Sequence, residues 1–118
     1  MVRMSTPLKT PLIFYRTSGG AEPVREWLKS LDAADRNAIG QDLMRVQFRW
    51  PVGMPLCRPL GAGLWEVRTS LSNNRIARML FFAEDKRIGV VHGFIKKTRK
   101  TPADAIELAD KRMKEMKK

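Results

Sequence analysis

Residues 64–95 read LWEVRTSLSNNRIARMLFFAEDKRIGVVHGFI, and this stretch decides the fold. It contains three runs rich in apolar and aromatic residues, at 64–69, 76–82 and 88–95. Short runs of this kind are typical of strands, and the polar segments 72–74 and 84–86 between them are suited to tight turns. The stretch therefore predicts three consecutive antiparallel strands.

The residues before this stretch predict one further strand and two helices. Residues 12–15 form a compact apolar run that ends at the turn residues 18–20, so we expect a strand there. Apolar residues at helical spacing then predict a helix opened by Pro23 and a second helix capped by Asp32. Residues 51–63 hold three prolines and three glycines, which predicts a loop.

The residues after this stretch predict a last helix. Thr101 is suited to the N-cap position, with Pro102 as the first helical residue. The resulting order is β-α-α-β-β-β-α, which indicates an α+β fold with helices packed against one antiparallel sheet. We expect residues 1–10 to be a short N-terminal tail and residues 11–118 to form a single domain.

Composition and charge narrow the classes of function. The 118 residues include 23 Lys and Arg against 12 Asp and Glu, a net charge of +11. Such an excess attracts polyanions, so nucleic acid is the first expected partner, before an anionic membrane or an acidic protein. One cysteine excludes an internal disulfide, and no apolar run is long enough for a signal peptide or a membrane span. We therefore expect a cytoplasmic protein that is not bound to a membrane.

Neither a metal nor a cofactor is expected. The chain contains a single histidine and a single cysteine, and it lacks the glycine-rich pattern that cradles phosphate groups. Any chemistry must therefore come from the side chains themselves.

Alternation along the three central strands divides their side chains between two faces of the sheet. The apolar set, expected to pack under helices, is Trp65, Val67, Met79, Phe81, Val91 and Ile95. The opposite face is expected to carry Glu66, Arg68, Arg78, His92 and Phe94. A cluster of basic residues continues directly from the last of these strands, at residues 96–100. The second face therefore combines cations with a carboxylate, an imidazole and an aromatic ring.

This face has the groups needed to cleave RNA without a metal. A carboxylate such as Glu66 or an imidazole such as His92 can accept the proton of the 2′-hydroxyl that attacks the neighbouring phosphate. Arginine and lysine side chains can stabilise the negative charge that develops on the phosphoryl oxygens. An aromatic ring such as Phe94 can stack a base that is splayed out of the strand.

Each of these residues also has a simpler interpretation. Glu66 can form an ion pair with Arg68 or Arg78 and merely hold it in place, and we favour that role slightly over general base catalysis. His92 can be a hydrogen-bonded packing residue, which is the commoner role of a lone histidine near an apolar strand. Isolated arginines on a strand are often no more than solvated surface residues.

Four segments taken together resemble a known family of toxins. LWEVR at 64–68, IARMLFF at 76–82, HGFIKKT at 92–98 and KTP at 100–102 resemble the phage-derived HigB-like branch of the RelE superfamily. The resemblance extends in order from about residue 12 to residue 115. It implies a RelE-like microbial ribonuclease fold and cleavage of messenger RNA, usually on the ribosome. It also implies neutralisation by a small antitoxin, often of the helix-turn-helix type, and contact with operator DNA only through the antitoxin complex.

The resemblance also implies roles for individual basic residues. Arg68 and Arg78 match basic positions that are typical of the family, and Lys96 and Lys97 match its lysine pair. The candidate catalytic residues are Arg68, Arg78, His92, Glu66 and Lys96, and the candidate RNA-binding residues are Lys97, Arg99, Lys100 and Phe94.

Two other functions fit the same sequence. One is a non-catalytic nucleic-acid-binding protein of phage origin, which the charge supports equally well. The other is a degenerate toxin that still binds its antitoxin but no longer cuts RNA. The grouping of Glu66, Arg68, Arg78 and His92 favours the enzyme over the pure binder.

Overall fold

The computed structural model describes residues 10–54, 56–84, 86–96 and 100–118. In chain order the elements are β1 (Leu12–Phe14), α1 (Pro23–Ser30), α2 (Ala33–Arg49), β2 (Cys57–Gly61), β3 (Leu64–Ser70), β4 (Ile76–Glu84), β5 (Arg87–Lys96) and α3 (Ala103–Met116). The strands form one sheet in the order β1-β5-β4-β3-β2. One apolar core lies between the sheet and helices α1 and α2, and a second lies between the sheet and α3. The α+β class is confirmed.

The three central strands are those that the sequence predicts. Strand β4 pairs antiparallel with β3 on one side and with β5 on the other. In the β3–β4 turn, Asn73 and Asn74 have φ angles of 60° and 58°. Asparagine tolerates this left-handed conformation better than most residues, and it suits a tight hairpin. The local sequence therefore specifies this part of the sheet.

The predicted loop at residues 51–63 contains a strand, so that prediction is wrong in its second half. Strand β2 pairs antiparallel with β3 at the edge of the sheet, and Cys57 lies fully buried opposite Val67. Pro59 fits this position because an edge strand does not need every backbone N–H as a donor. The prolines and glycines that indicate a loop are here the features of an edge strand and its turn.

The sheet is mixed, whereas the sequence predicts an antiparallel one. Strand β1 runs parallel to β5, with Ile13 opposite Gly89. The backbone N–H of Tyr15 extends this pairing by donating to the carbonyl of Val90. The residues of β1 pair with residues that lie far along the chain, so no local pattern indicates the direction of the strand.

A β-bulge changes the predicted face of one residue. Leu80 lies opposite His92, but the next residue, Phe81, lies opposite Val90. Val91 is therefore the extra residue, and its side chain joins the core under α3, not the one under α1 and α2. The prediction for Val91 is wrong because a bulge shifts the alternation by one residue. Val90 takes its place in the core under α1 and α2.

Polar contacts fix the helices on the sheet. The buried Asp42 of α2 accepts a hydrogen bond from Thr69 of β3 at 2.7 Å. The carboxylate of Asp35 accepts two hydrogen bonds, at 2.8 and 3.0 Å, from the guanidinium of Arg75 in the β3–β4 turn. On the other face, Arg112 of α3 donates to the carbonyl oxygen of Val91 at 2.9 Å. These contacts set the positions of α2 and α3 relative to β3 and β5, where the candidate residues lie.

Helix α3 begins later than the sequence predicts. Its N-cap residue is Pro102 and not Thr101, so the predicted capping role of Thr101 is wrong. The hydroxyl of Thr101 donates instead to the carboxylate of Glu66 on β3. The hydroxyl of Thr101 thus forms a tertiary contact with β3 instead of the helix cap that the local sequence predicts.

The sequence also predicts an N-terminal tail and the absence of a membrane span. Of the predicted tail, only Thr10 lies within the described residues, and its backbone N–H donates to the carbonyl of Gln47 at 2.9 Å. Among the described residues, no helix has the length and apolar character needed to cross a bilayer.

Candidate functional site

The register of the sheet places the predicted polar residues on one face, the face toward α3. Arg68, Arg78 and Phe94 are direct neighbours across strands β3, β4 and β5. Glu66 and His92 flank Leu80 in the adjacent row. Residues two apart on a strand point to the same face of the sheet, as Glu66 and Arg68 do on β3. The two rows therefore share one face, and the five predicted residues form one surface. The bulge at Val91 precedes His92 and leaves this arrangement intact.

A buried network of polar side chains lies at the centre of this face. Glu66 and Arg78 are each 0% exposed, and Thr101 is 8% exposed. One carboxylate oxygen of Glu66 accepts a hydrogen bond from Arg68 Nε at 2.9 Å, and the other accepts one from the hydroxyl of Thr101. That hydroxyl accepts a hydrogen bond from Arg78 Nη1 at 3.3 Å. The carboxylate is thus enclosed by two guanidinium groups and a hydroxyl.

Burial divides the two arginines of this network. The side chain of Arg68 is 27% exposed, so part of it reaches solvent while its Nε holds Glu66. Arg78 is fully buried, and burial, followed by the nearby charge of Arg68, lowers its pKa, although Glu66 opposes this shift. Arginine nevertheless remains protonated at neutral pH. Arg68 is therefore the member of the pair that a substrate can touch, and Arg78 lies beneath it.

A cleft of about 380 Å³ opens beside the buried network, between β2 and the start of α3. Its lining residues are Arg58, Pro59, Leu60, Lys100, Thr101 and Ile106. Arg58 lies directly opposite Glu66 in the β2–β3 pairing, and both Arg58 and Lys100 are exposed. The cleft therefore has a cation on each side, and its wall contains Thr101, whose hydroxyl binds the buried Glu66. The two cations suit the cleft to bind a phosphate group.

Sequence reasoning missed two members of this site. The sequence predicts a loop at residues 51–63, whereas the strand that forms there places Arg58 beside Glu66. For Thr101 the sequence predicts a role in the helix cap. One feature of the sequence could have indicated Arg58: it is a basic residue within a short apolar segment that contains a proline.

His92 lies on the same face but lines a different cavity. That cavity has a volume of about 180 Å³ and is also lined by Trp27 of α1 and Arg112 of α3. Two strand spacings, about 10 Å, separate the row position of His92 from that of Glu66. Burial lowers the pKa of His92, the positive charge of Arg112 adds to this effect, and Asp104 opposes it. The imidazole is therefore neutral at pH 7 and able to accept a proton.

Phe94 and Lys96 extend the face along β5. The rings of Phe94 and His92 have centroids 5.4 Å apart, and Lys96 Nζ lies 5.6 Å from the centroid of Phe94. Phe94 is half-buried and Lys96 is exposed. An imidazole, an aromatic ring and an ammonium group thus follow one another along a single strand. Lys97 and Arg99, the other predicted RNA-binding residues, lie outside the described residues.

The described part of the chain contains no group of three or more His, Cys, Asp or Glu residues that could hold a metal ion. The site is instead rich in cations, and its one buried carboxylate, Glu66, is already engaged by Arg68 and Thr101. The chemistry that this arrangement supports is the binding and stabilisation of phosphate oxygens by positive charge.

Comparison with known proteins places the chain in a family. Residues 26–114 match the family described as "Phage derived protein Gp49-like (DUF891)", and this range contains α2, all of β2 to β5 and most of α1 and α3. No curated protein matches the chain. Members of the matched family are commonly toxins of toxin–antitoxin systems. The chain therefore belongs to the Gp49-like family of phage-derived proteins, within the RelE/HigB-like toxin superfamily.

Proposed function

We propose that this protein is the toxin of a type II toxin–antitoxin system and that it is an endoribonuclease of the HigB-like kind. In this proposal it cleaves messenger RNA in the cytoplasm, in association with the ribosome, and thereby inhibits translation. A cognate antitoxin of the helix-turn-helix type neutralises it, and the complex of the two contacts operator DNA through the antitoxin.

One observation carries the proposal: a partly exposed arginine held by a buried carboxylate, beside a cationic cleft. Arg68 is fixed by Glu66 at 2.9 Å, and the adjacent cleft presents Arg58 and Lys100. Preorganised cations of this kind stabilise a transition state because they need no reorganisation when charge develops on the phosphate. In a family whose members are commonly toxins, this arrangement supports phosphodiester cleavage.

The proposed reaction proceeds through the 2′-hydroxyl of the RNA. The 2′-oxygen loses its proton and attacks the adjacent phosphorus, and the bond from phosphorus to the 5′-oxygen breaks. The 5′-oxygen takes up a proton from water and leaves as a hydroxyl, and a 2′,3′-cyclic phosphate forms on the other product. Arg68 and Lys96 contact the phosphoryl oxygens of the scissile bond, and Arg58 of the cleft contacts a neighbouring phosphate. Glu66 and Arg78 act as positioning residues, because both are fully buried and act on the substrate through Arg68 and Thr101.

The proton transfer is assigned to the β5 side of the face. Phe94 stacks the base next to the scissile bond, which brings the 2′-hydroxyl toward His92. His92 accepts the proton, since its lowered pKa keeps it neutral at pH 7. Lys96 supplies positive charge on the other side of Phe94. Lys97, Arg99 and Lys100 contact the flanking phosphates in this proposal.

The test is to induce the chain alone and to compare it with Arg68→Ala and Arg68→Lys. We expect growth arrest and new 5′ ends in messenger RNA with the unsubstituted chain. Arg68→Ala should reduce cleavage about 100-fold or more, the usual effect of removing one preorganised donor. Arg68→Lys should restore little, because an ammonium group lacks the planar fork that contacts both Glu66 and a phosphate.

A matched control is Arg25→Ala, which removes an exposed arginine that is part of a surface ion pair with Glu22. It should leave cleavage unchanged. Arg78 is unsuitable for this test because it is fully buried, so its substitution would confound activity with folding.

Each other result identifies a different function. Intact transcripts with soluble, folded protein would reject the enzyme. RNA affinity that falls equally with each substituted cation would then support the pure nucleic-acid binder. Tight antitoxin binding without toxicity would support the degenerate toxin.

A further inference from the structure

Helix α2 has an apolar stripe on the side that faces away from the sheet. Its buried side is formed by residues such as Ile39, Leu43 and Val46. On the opposite side, Met44 is 52% exposed and Phe48 is 48% exposed. Residues four apart lie on the same side of a helix, so the two side chains are adjacent. Large apolar residues side by side on an exposed helix are unusual unless a partner covers them.

Gly40 belongs to the same stripe, one turn before Met44. A Cβ atom added there would meet nothing within 4 Å, so the fold itself does not require glycine at this position. Glycine in the middle of a helix nevertheless costs about 1 kcal/mol relative to alanine. A glycine in this place leaves room for a close approach from outside the molecule, directly beside the two exposed apolar side chains.

Positive charge borders one side of the stripe. Three residues of α2 separate the stripe from a groove of about 720 Å³. They are Gln41, Arg45 and Arg49. The groove runs along the part of β3 that β2 does not cover, and Arg68 lies in its wall. The stripe and the groove share these three α2 residues, so they form one continuous surface that ends at Arg68.

We infer that this surface of α2 is the docking site of the antitoxin, and that an acidic amphipathic helix of that partner occupies it. The inference rests on the proposed function, which supplies the antitoxin. The helix lays its apolar side on Met44 and Phe48, with its backbone close to Gly40. Its carboxylates pair with Arg49 and with the exposed guanidinium of Arg45, which also forms an ion pair with Asp42 at 2.7 Å. Recognition of an amphipathic helix by apolar anchors one turn apart is a recurring mode of binding. An interface that continues along the groove would reach Arg68 at the edge of β3, next to the proposed catalytic face.

The charges favour this occupant over a second copy of the chain. Two copies would bring Arg45 and Arg49 of each against the other, and each chain has a net charge of +11. Phe48 can stack a base and the two arginines can contact phosphates, but Met44 and Gly40 offer a nucleotide neither, so the apolar half of the surface favours a protein over RNA. An acidic partner with an apolar side satisfies both halves of the surface.

The experiment measures binding of the protein encoded beside this chain's gene, by calorimetry, to purified variants. Met44→Ser and Phe48→Ser should each weaken binding about 30-fold or more, as expected for central apolar anchors. Gly40→Leu should weaken it as strongly while making the free chain more stable, because leucine is a better helix former than glycine. That combination separates loss of docking from loss of folding. Arg49→Glu should weaken binding most at low salt.

The matched control is Ile13→Ser. Ile13 is 41% exposed, but its neighbours Leu12 and Phe14 pack under α1 and α2, so Ile13 points to the opposite side of the sheet. Its substitution should not change the affinity. Each α2 variant expressed alone should still arrest growth if the proposed function holds. The binding measurement does not depend on cleavage, so a chain without nuclease activity can still support the docking site.

Three outcomes would overturn the inference. One is an adjacent-gene protein that does not bind the chain, or that binds the α2 variants as tightly as the unsubstituted chain. Another is loss of RNA cleavage in the α2 variants with unchanged antitoxin affinity, which would assign the surface to RNA. The third is a dimer of the chain in solution that Met44→Ser and Phe48→Ser dissociate.

Discussion

At the scale of single residues, Glu66 organises the candidate site. A fully buried carboxylate is tolerated only when its charge is compensated, and here Arg68 and Thr101 bind its two oxygens. The sequence allowed either a base or an ion-pair partner at this position. The burial of Glu66 favours the second role, and it leaves Arg68 as the residue that connects the buried network to solvent.

His92 should make the stability of the protein depend on pH. Its pKa in the folded state is lowered from the usual value near 6.5, by burial and by Arg112. The unfolded chain therefore binds a proton at a higher pH than the folded one, and the free energy of unfolding should fall as the pH decreases below about 6.5. Urea unfolding between pH 7.5 and 5 should show this decrease, and His92→Gln should show less of it. Equal slopes in the two proteins would contradict the prediction.

At the scale of elements, the same substitution at two glycines should have opposite effects. Gly40→Ala places its methyl group in open space on helix α2, so it should stabilise the chain by about 1 kcal/mol. Gly89→Ala on β5 would place a Cβ 2.3 Å from Cε1 of the buried Phe82, so it should destabilise by about 1–3 kcal/mol. Thermal and urea unfolding of both variants measure the difference. A stabilising Gly89→Ala would mean that Phe82 moves aside without cost.

The elements also show where local patterns are sufficient. The hairpins of β3, β4 and β5 follow from alternation and turn residues, and these strands carry Glu66, Arg68, Arg78 and His92. The edge strand β2 was missed because proline and glycine, which end most strands, are acceptable at an edge. For the same reason the local pattern does not indicate Arg58, since its position opposite Glu66 depends on the pairing of β2 with β3.

At the scale of the whole molecule, the net charge of +11 should govern RNA affinity through salt. For single-stranded RNA, each phosphate contact contributes about −0.7 to the slope of log affinity against log salt concentration. Lys100→Ala should therefore make the slope less steep by about 0.7, since Lys100 lies at the cleft. Fluorescence anisotropy with an RNA that carries a 2′-deoxy group at the cleavage site measures binding without turnover. Arg25→Ala is the control, and an unchanged slope in Lys100→Ala would remove Lys100 from the phosphate path.

The sequence by itself determined the α+β class, the three central strands, the three helices and the shared face of the polar residues. It did so because alternation, helical spacing and turn chemistry are local properties of the chain. Only the tertiary structure decided the parallel pairing of β1, the bulge at Val91 and the edge strand β2. Strand β1 pairs with a segment that is distant in the chain, and the bulge and β2 are set by backbone pairing that the pattern of side chains does not specify. The tertiary structure also separates Arg68 from Arg78: both are basic residues on one face, but packing buries one and leaves the other partly exposed.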